Sequence, residues 1–201
     1  MESAPQIAPA EEAPEGGDDA RERVLTAAYD LFAQEGIRAV GLDDVVARAG
    51  VAPVTLHRHF ASKDDLVLAF LERREQLWTK DWLEAEVERR ASEPDEQLLA
   101  IFDVFDEWFR RDDFEGCSFI NVLLEISDAD SPLHRASVTY LARIRSFIEG
   151  LAAEAGVSDP ESFARQWHIL MKGAIVAVAF GGREAARRAR SVGALLLSEA
   201  A

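Results

Sequence analysis

The stretch DDVVARAGVAPVTLHRHFASK, at residues 43–63, decides the fold predicted for this chain. Val45 and Ala49 share one face of a short helix, and Gly50 follows where a left-handed backbone, cheap only for glycine, would end it. Pro53 suits the first position of a second short helix, because its φ is already helical and it has no N–H to leave unpaired. Two short helices joined by a glycine-containing turn make a helix-turn-helix.

The second helix has one apolar face and several polar ones. Leu56 and Phe60 lie four residues apart, so both point toward neighbouring helices. The polar side chains that fall on the other faces and can reach outward are Thr55, His57, Arg58 and His59. Ser62 can cap a following helix, with Asp65 at the matching capping-box position. Lys63 then lies in the first turn of that helix, beside free backbone N–H groups that suit a phosphate.

This arrangement resembles the DNA-binding domain of the TetR family of transcriptional regulators. Many residue types agree at fixed spacing over about one helix-turn-helix unit, and a weaker resemblance covers most of the remaining chain. The matching residues are Ala27, Leu31, Phe32, Gly36, Asp44, Val45, Val46, Ala49, Gly50, Val51, Thr55, Leu56, His59, Phe60, Ser62 and Lys63. The alternative is a helical hairpin that only caps another core, but such a unit needs no outward polar residues on so short a helix.

The resemblance implies a set of DNA contacts, with some departures from the family pattern. Gly41 lacks the hydroxyl that the family usually has at this cap, and Val54 replaces a frequent glycine. The family often has a basic N-terminal arm that touches DNA, whereas this arm is acidic and has no base, so the role extends only to Arg21 and Arg23, which follow it. The residues expected to contact DNA are Arg21, Arg23, Gly41, Pro53, Val54, Thr55, His57, Arg58, His59 and Lys63.

The composition favours an intracellular protein with an internal core. The chain has 201 residues and 48% hydrophobic content, enough for one core or two small ones. It has no apolar run long enough to span a bilayer, and its N-terminus lacks the features of a secretory signal. The single cysteine, Cys117, excludes an intrachain disulfide and suits a reducing compartment. We therefore expect a cytoplasmic protein without membrane contact.

The negative charge of the chain lies mostly away from the predicted DNA face. The formal net charge is −15, yet residues 21–65 carry a nearly balanced set of acidic and basic side chains. The excess of acids is concentrated in residues 1–20 and 81–131. Close contacts with phosphates are therefore compatible with the charge, whereas long-range attraction to DNA would be poor.

The rest of the chain predicts an all-α fold. Apolar stripes recur at helical spacing to the C-terminus, and no run has the alternation typical of a strand. We expect a three-helix DNA-binding head with a helix-turn-helix and a larger helical regulatory and dimerisation domain. The predicted divisions are a disordered acidic arm at 1–19, the DNA-binding domain at 20–66, and the ligand-binding and dimerisation domain at 67–201.

The two C-terminal helices predict a homodimer. From Gly173 to Phe180 every residue is apolar or glycine, so this helix must be covered on all sides. Pairing of the last two helices with those of a second subunit would give an isologous four-helix interface, which is how the resembling family uses them. The alternative is a buried monomer core. The expected interface residues are Gly173, Ala174, Ala177, Phe180, Ala189, Val192 and Leu196.

A small-molecule pocket is predicted among the aromatic residues of the larger domain. These residues exceed what a small bundle needs for packing, and such pockets are mostly apolar with one or two polar anchors. Asn121 is the best candidate anchor, because a buried amide needs a partner. The alternative is a dry core in which Asn121 only caps a helix. The expected lining residues are Phe102, Phe105, Trp108, Phe109, Cys117, Phe119, Asn121, Trp167 and Met171.

No catalytic pattern appears in the sequence. It has no H-E-x-x-H, no paired cysteines, no G-x-S-x-G and no G-x-x-x-x-G-K, so we expect neither a metal nor a cofactor. Cys117 is interpreted as a small buried hydrophobe, a pocket-lining thiol or a redox sensor. Two function classes remain: a repressor released from a palindromic operator by an apolar or amphipathic inducer, which the resemblance implies, and an all-helical enzyme or carrier. The outward polar residues favour the first.

Overall fold

The first helix begins earlier than the sequence suggested. The structure, a computed structural model, describes residues 17–200, and the arm predicted at 1–19 falls mainly outside them. Gly17 to Asp19 belong to the first helix, although the predicted boundary was residue 20. Asp18 and Asp19 occupy its first turn, where carboxylates favour the positive end of the helix dipole.

Every regular element of the described residues is helical, which confirms the all-α prediction. A π-helical segment joins α4 to α5 without a break, so residues 63–90 form one long connecting helix. None of the described helices is both long and apolar enough to cross a membrane. The elements are α1 Gly17–Glu35, α2 Leu42–Ala49, α3 Pro53–His59, α4 Lys63–Arg74, the π-helical segment Glu75–Glu84, α5 Ala85–Arg90, α6 Pro94–Trp108, α7 Ser118–Glu125, α8 Pro132–Glu154, α9 Pro160–Val178 and α10 Ala185–Ala200.

The helix-turn-helix forms for the local reasons read from the sequence. Gly50 ends α2 with φ 63°, in the left-handed region. Pro53 is the first residue of α3, and the Ser62 hydroxyl accepts a hydrogen bond of 3.1 Å from the Asp65 N–H at the start of α4. Leu56 is fully buried. Helices α2, α3 and α4 all pack on α1, which completes the head.

The connecting helix reaches from the head into the larger domain. Its π-helical segment places Trp78 and Trp82 against Trp108 of α6, with ring centroids 4.9 and 6.2 Å away. A π-helix has wider turns than an α-helix, so successive side chains fall at different angles. The apolar spacing predicted a helix here but not this widening.

Close packing of α10 on α6 and α9 centres on a glycine. Trp167 of α9 is fully buried, and its ring centroid lies 5.2 Å from that of Phe102 in α6. Gly193 of α10 faces both rings. A Cβ at Gly193 would lie 2.7 Å from Cη2 of Trp167 and 3.1 Å from Cε2 of Phe102, so α10 can approach only because a side chain is absent.

Replacement of Gly193 by alanine tests this packing. We expect Gly193→Ala to lower the free energy of unfolding by about 1–3 kcal/mol, because the added methyl overpacks the core. The matched control is Gly150→Ala in α8, where an added Cβ meets nothing within 4 Å. That change should stabilise the protein by about 0.5–1 kcal/mol through helix propensity. Urea unfolding of both variants measures the effects, and equal shifts would contradict the packing argument.

Candidate nucleic-acid interface

The outward face of α3 carries the side chains available for contact. Pro53, Val54, His57 and Arg58 are exposed, Val54 to 66%. The remaining two predicted contacts on this helix, Thr55 and His59, are half-buried. This helix therefore presents an apolar group, a ring nitrogen and a guanidinium along one side, a set that can reach base edges and phosphates.

Four cations of the head have no carboxylate partner among the described residues. Within the described part of the chain, no carboxylate lies within ion-pair distance of Arg21, Arg38, Arg58 or Lys63. The Arg21 guanidinium lies over the Phe60 ring, 5.2 Å from its centroid. Cations without an internal partner can neutralise phosphates without first breaking an ion pair.

Two arginines of the head are less available. Arg23, a predicted contact, is half-buried and pairs with Asp19 at 3.6 Å. Arg48 pairs with Asp30 at 3.5 Å.

Sequence reasoning missed Arg38, whose only signal was its position just after the glycine that ends α1. Its exposure beside the turn from α1 to α2 becomes visible only in three dimensions.

The first turn of α2 is acidic. The Gly41 N–H donates a 2.7 Å hydrogen bond to the Asp44 carboxylate, so a side chain three residues later satisfies this helix start. Asp43 also lies in the first turn. Gly41 itself offers only its backbone, and the neighbouring carboxylates would repel phosphate. The free cations of α1, α3 and α4 are therefore better placed for phosphate than the start of α2.

Glu125 joins the head to the larger domain. Its carboxylate, at the end of α7, accepts hydrogen bonds from the Arg38 N–H at 2.7 Å and the Ile37 N–H at 3.3 Å. Gly36 makes room for it: a Cβ there would lie 2.8 Å from Oε1 of Glu125. The turn that leads into the helix-turn-helix is thus held by a residue of α7.

Arg74 makes a second connection between the two parts. It is buried in α4, donates a 2.9 Å hydrogen bond to the Tyr29 hydroxyl of α1, and pairs with Glu115, which precedes α7. Its guanidinium also lies 5.6 Å from the Trp78 ring centroid. Burial lowers the pKa of Arg74, but the charges of Tyr29 and Glu115 and their hydrogen bonds raise it by more. The net pKa is raised, so the guanidinium stays charged.

The predicted ligand residues lie in the core, with one exception. Phe102, Phe105, Trp108, Phe109, Cys117, Phe119, Trp167 and Met171 are buried. The ring centroid of Phe105 lies 5.6 Å from that of Trp108 and 5.4 Å from that of Phe109.

Asn121 does not fit its predicted role as a buried anchor. It is exposed, and its Nδ2 donates to the Glu115 carbonyl at 3.4 Å, because the buried face of α7 is occupied by Phe119 and Val122.

The predicted dimer residues divide into two groups. Ala174 and Ala189 are only 5% and 4% exposed inside the single chain, so they offer little surface to a second subunit. They are the small residues that let α9 and α10 pack inwards. Gly173, Phe180 and Val192 are exposed, and Ala177 and Leu196 are half-buried. The apolar surface of α9 and α10 also includes Ile169, Val176 and Leu195, which the prediction omitted.

Family models match both parts of the chain. Residues 24–70 match the model described as bacterial regulatory proteins, tetR family, and residues 94–192 match a tetracyclin repressor-like C-terminal domain. The first match covers the helix-turn-helix, and the second covers most of the larger domain.

Individual relatives agree with these models. The structure of a TetR-family transcriptional regulator from Streptomyces coelicolor is 29% identical, with a TM-score of 0.82 over 91% of this chain and 96% of that one. The HTH-type transcriptional regulator BetI of Rhizobium meliloti is 29% identical over 72% of this chain and 70% of its own length. The activator FasR of Mycolicibacterium smegmatis is 43% identical, but over only 28% of this chain and 26% of its own.

Removal of the Glu125 carboxylate tests the connection to the head. We expect Glu125→Ala to leave the N–H groups of Ile37 and Arg38 without their acceptor, at a cost of about 1–3 kcal/mol. Amide hydrogen exchange at Ile37 and Arg38 should accelerate. Glu154→Ala, which removes an exposed carboxylate at the end of α8, is the control and should leave these two amides unchanged. Unaltered exchange in Glu125→Ala would contradict the contact.

Proposed function

Because the chain belongs to the TetR family of bacterial regulatory proteins, we propose that it is a homodimeric repressor that leaves its operator when it binds a small molecule. The observation that carries the proposal is the exposed face of α3 next to free cations on α1 and α4. A helix-turn-helix places its second helix in the major groove, where side chains reach base edges. Repression follows when the bound protein blocks access to a promoter.

The side chains on and beside α3 support a division of roles on DNA. Thr55, His57 and Arg58 approach base edges or phosphates, and Val54 adds an apolar surface that suits a thymine methyl group. His59 and Lys63 hold phosphates at the end of α3 and the start of α4. Arg21 and Arg38 extend these backbone contacts on either side.

The apolar surface on α9 and α10 supports the dimer. Ile169 and Val176 lie on one side of α9, Phe180 is exposed two residues beyond its end, and Val192 and Leu195 are exposed on α10. Large exposed apolar groups in one area favour association. A twofold axis through this surface pairs two heads with two half-sites, so the operator is a palindrome. The centres of its half-sites are separated by one helical turn of DNA, roughly 34 Å, or by a multiple of that distance.

The connections between the domains support control by a ligand. The connecting helix at residues 63–90 begins with Lys63 and ends against α6, so its tilt sets the position of α3. Glu125 and Arg74 add two further contacts between the head and the larger domain. An apolar or amphipathic inducer lowers DNA affinity to the extent that it prefers the conformation that does not bind DNA.

A binding experiment on DNA from beside the protein's own gene tests the function. We expect the full chain to retard a fragment that contains a palindrome and to protect that palindrome in a footprint. Unrelated fragments of equal length should bind more weakly at the same salt concentration. Equal affinity for all fragments would contradict sequence-specific regulation.

The phosphate role of Lys63 has its own test. Lys63→Ala should weaken binding about equally on all sequences and reduce the slope of log affinity against log salt by roughly one. Lys80→Ala is the control, because Lys80 is exposed on the π-helical segment, remote in sequence from α3. Affinity is measured by fluorescence anisotropy at several salt concentrations. An unchanged salt slope in Lys63→Ala would remove Lys63 from the interface.

The dimer surface is tested by a charge placed on it. Phe180 is 77% exposed just beyond α9, and Phe180→Arg should bury an unpaired charge between subunits at a cost of about 3–5 kcal/mol. Sedimentation should then report a monomer that also binds operator poorly. Leu124→Arg, at an exposed leucine of α7, is the control and should remain dimeric. A dimeric Phe180→Arg variant with normal operator affinity would place the interface elsewhere.

A further inference from the structure

The N-terminus of α7 has unsatisfied donors. The Cys117 side chain makes no capping hydrogen bond, and the first backbone bond of the helix runs from the Asn121 N–H to the Cys117 carbonyl at 2.9 Å. Within the described part of the chain, the N–H groups of Ser118, Phe119 and Ile120 therefore have no acceptor. The first turn carries no acidic residue. Such a terminus attracts negative charge.

A buried hydroxyl lies in the same turn. Ser118 is only 3% exposed, and its Oγ has no hydrogen-bond partner among the described residues. Buried hydroxyl groups are normally hydrogen-bonded, because an unpaired one loses the bonds it would make with water. A donor without an acceptor, beside the free N–H groups, indicates a missing partner that accepts hydrogen bonds.

One cation lies beside this turn and a second lies on the neighbouring helix α8, neither with a carboxylate partner among the described residues. The Lys172 Nζ, on α9, lies 3.7 Å from the Sγ of Cys117, the residue that precedes α7. Arg145 of α8 is partly buried, and its charge acts on His168, four residues before Lys172 on α9. Neither has a carboxylate within ion-pair distance in residues 18–200, although the chain carries a net charge of −15. Many other arginines of the larger domain pair with an acid, Arg74 and Arg90 among them.

His168 is close enough to both cations to be affected by their charges. It lies one helical turn before Lys172 on α9, and its Nε2 is buried without a partner. Burial, followed by the charges of Lys172 and Arg145, lowers the pKa of His168 to about 3. The imidazole is therefore neutral near pH 7 and can donate one N–H without the cost of another buried charge.

We propose that these groups form an oxyanion site, which binds the carboxylate or phosphate group of a small amphipathic molecule. The N–H groups at the start of α7 and the Ser118 hydroxyl donate hydrogen bonds, while Lys172 and Arg145 supply the charge. Val138, exposed on α8 two turns before Arg145 and on the same face, offers an apolar surface for the rest of the molecule.

The position of the site suggests how the ligand acts on DNA binding. Ser118 begins α7 and Glu125 ends it, and Glu125 holds the turn at Ile37 and Arg38 in the head. An anion that shifts α7 along its axis would therefore move this turn. This coupling rests on the proposed repressor function, whereas binding of the anion does not.

Titration of the full chain without DNA tests the site. The probes are inorganic phosphate, acetate and decanoate, followed by calorimetry and by the imidazole NMR signal of His168, assigned with His168→Gln. We expect saturable binding and a shift of the His168 signal. Tight binding of decanoate alone identifies a carboxylate with an apolar chain, and tight binding of phosphate identifies a phosphorylated ligand.

Two variants and one control connect the binding to this site. Lys172→Met and Ser118→Ala should each weaken binding of the best probe about tenfold or more, the usual effect of losing a hydrogen bond to a charged group. Lys80→Met removes an exposed lysine elsewhere and should leave affinity unchanged. Absence of saturation with all three probes, or equal affinity in the wild type and Lys172→Met, overturns the proposal. Both results are independent of whether the protein binds an operator.

Discussion

The buried guanidinium of Arg74 is the contact on which the arrangement of the two domains depends. It meets a hydroxyl from α1, a carboxylate from the segment before α7 and the ring of Trp78, so one side chain touches three parts of the molecule. A buried charge is tolerated only while its partners remain in place. The head cannot turn far on the larger domain without separating Arg74 from Tyr29 or Glu115. Any change that reorients the head must therefore replace these contacts with others.

The distribution of charge complements this arrangement. An acidic chain repels DNA at long range, and at 0.15 M salt this repulsion fades over about 8 Å. Inside that distance the unpaired cations of the head dominate. In the larger domain several bases pair with acids, as Arg190 and Arg187 of α10 do with Asp103 and Asp106 of α6. Long-range repulsion combined with good short-range contacts favours selectivity over rapid, nonspecific capture.

Local signals predicted the head well, and long-range packing explains what they missed. Gly50, Pro53 and Ser62 act within a few residues of themselves, so their roles follow from sequence spacing. Ala174 and Ala189 were different, because a small apolar residue suits a close contact inside a subunit as well as one between subunits. Only the positions of α6, α9 and α10 decide which contact is made.

The same limit applies to side chains that act across elements. The exposure of Asn121 depends on which face of α7 turns inwards. Its apolar neighbours in the sequence fall on more than one face of the helix, so the sequence alone does not select the buried face. The approach of Lys172 to Cys117 spans 55 positions in the chain and leaves no local trace. Resemblance and periodicity thus predicted the outward face of α3, while the groups at the start of α7 became apparent only when three helices were assembled.

The aromatic contact between the connecting helix and α6, called the seam below, gives the molecule an intrinsic fluorescent probe. The chain has four tryptophans, and three of them, Trp78, Trp82 and Trp108, form one cluster with centroids 4.9 to 6.2 Å apart. The fourth, Trp167, lies in the core of the larger domain, so indole emission comes from this domain and none from the head. Excitation passes readily between indoles at such distances. The ultraviolet fluorescence of the unlabelled protein therefore reports mainly on the seam where the connecting helix meets α6.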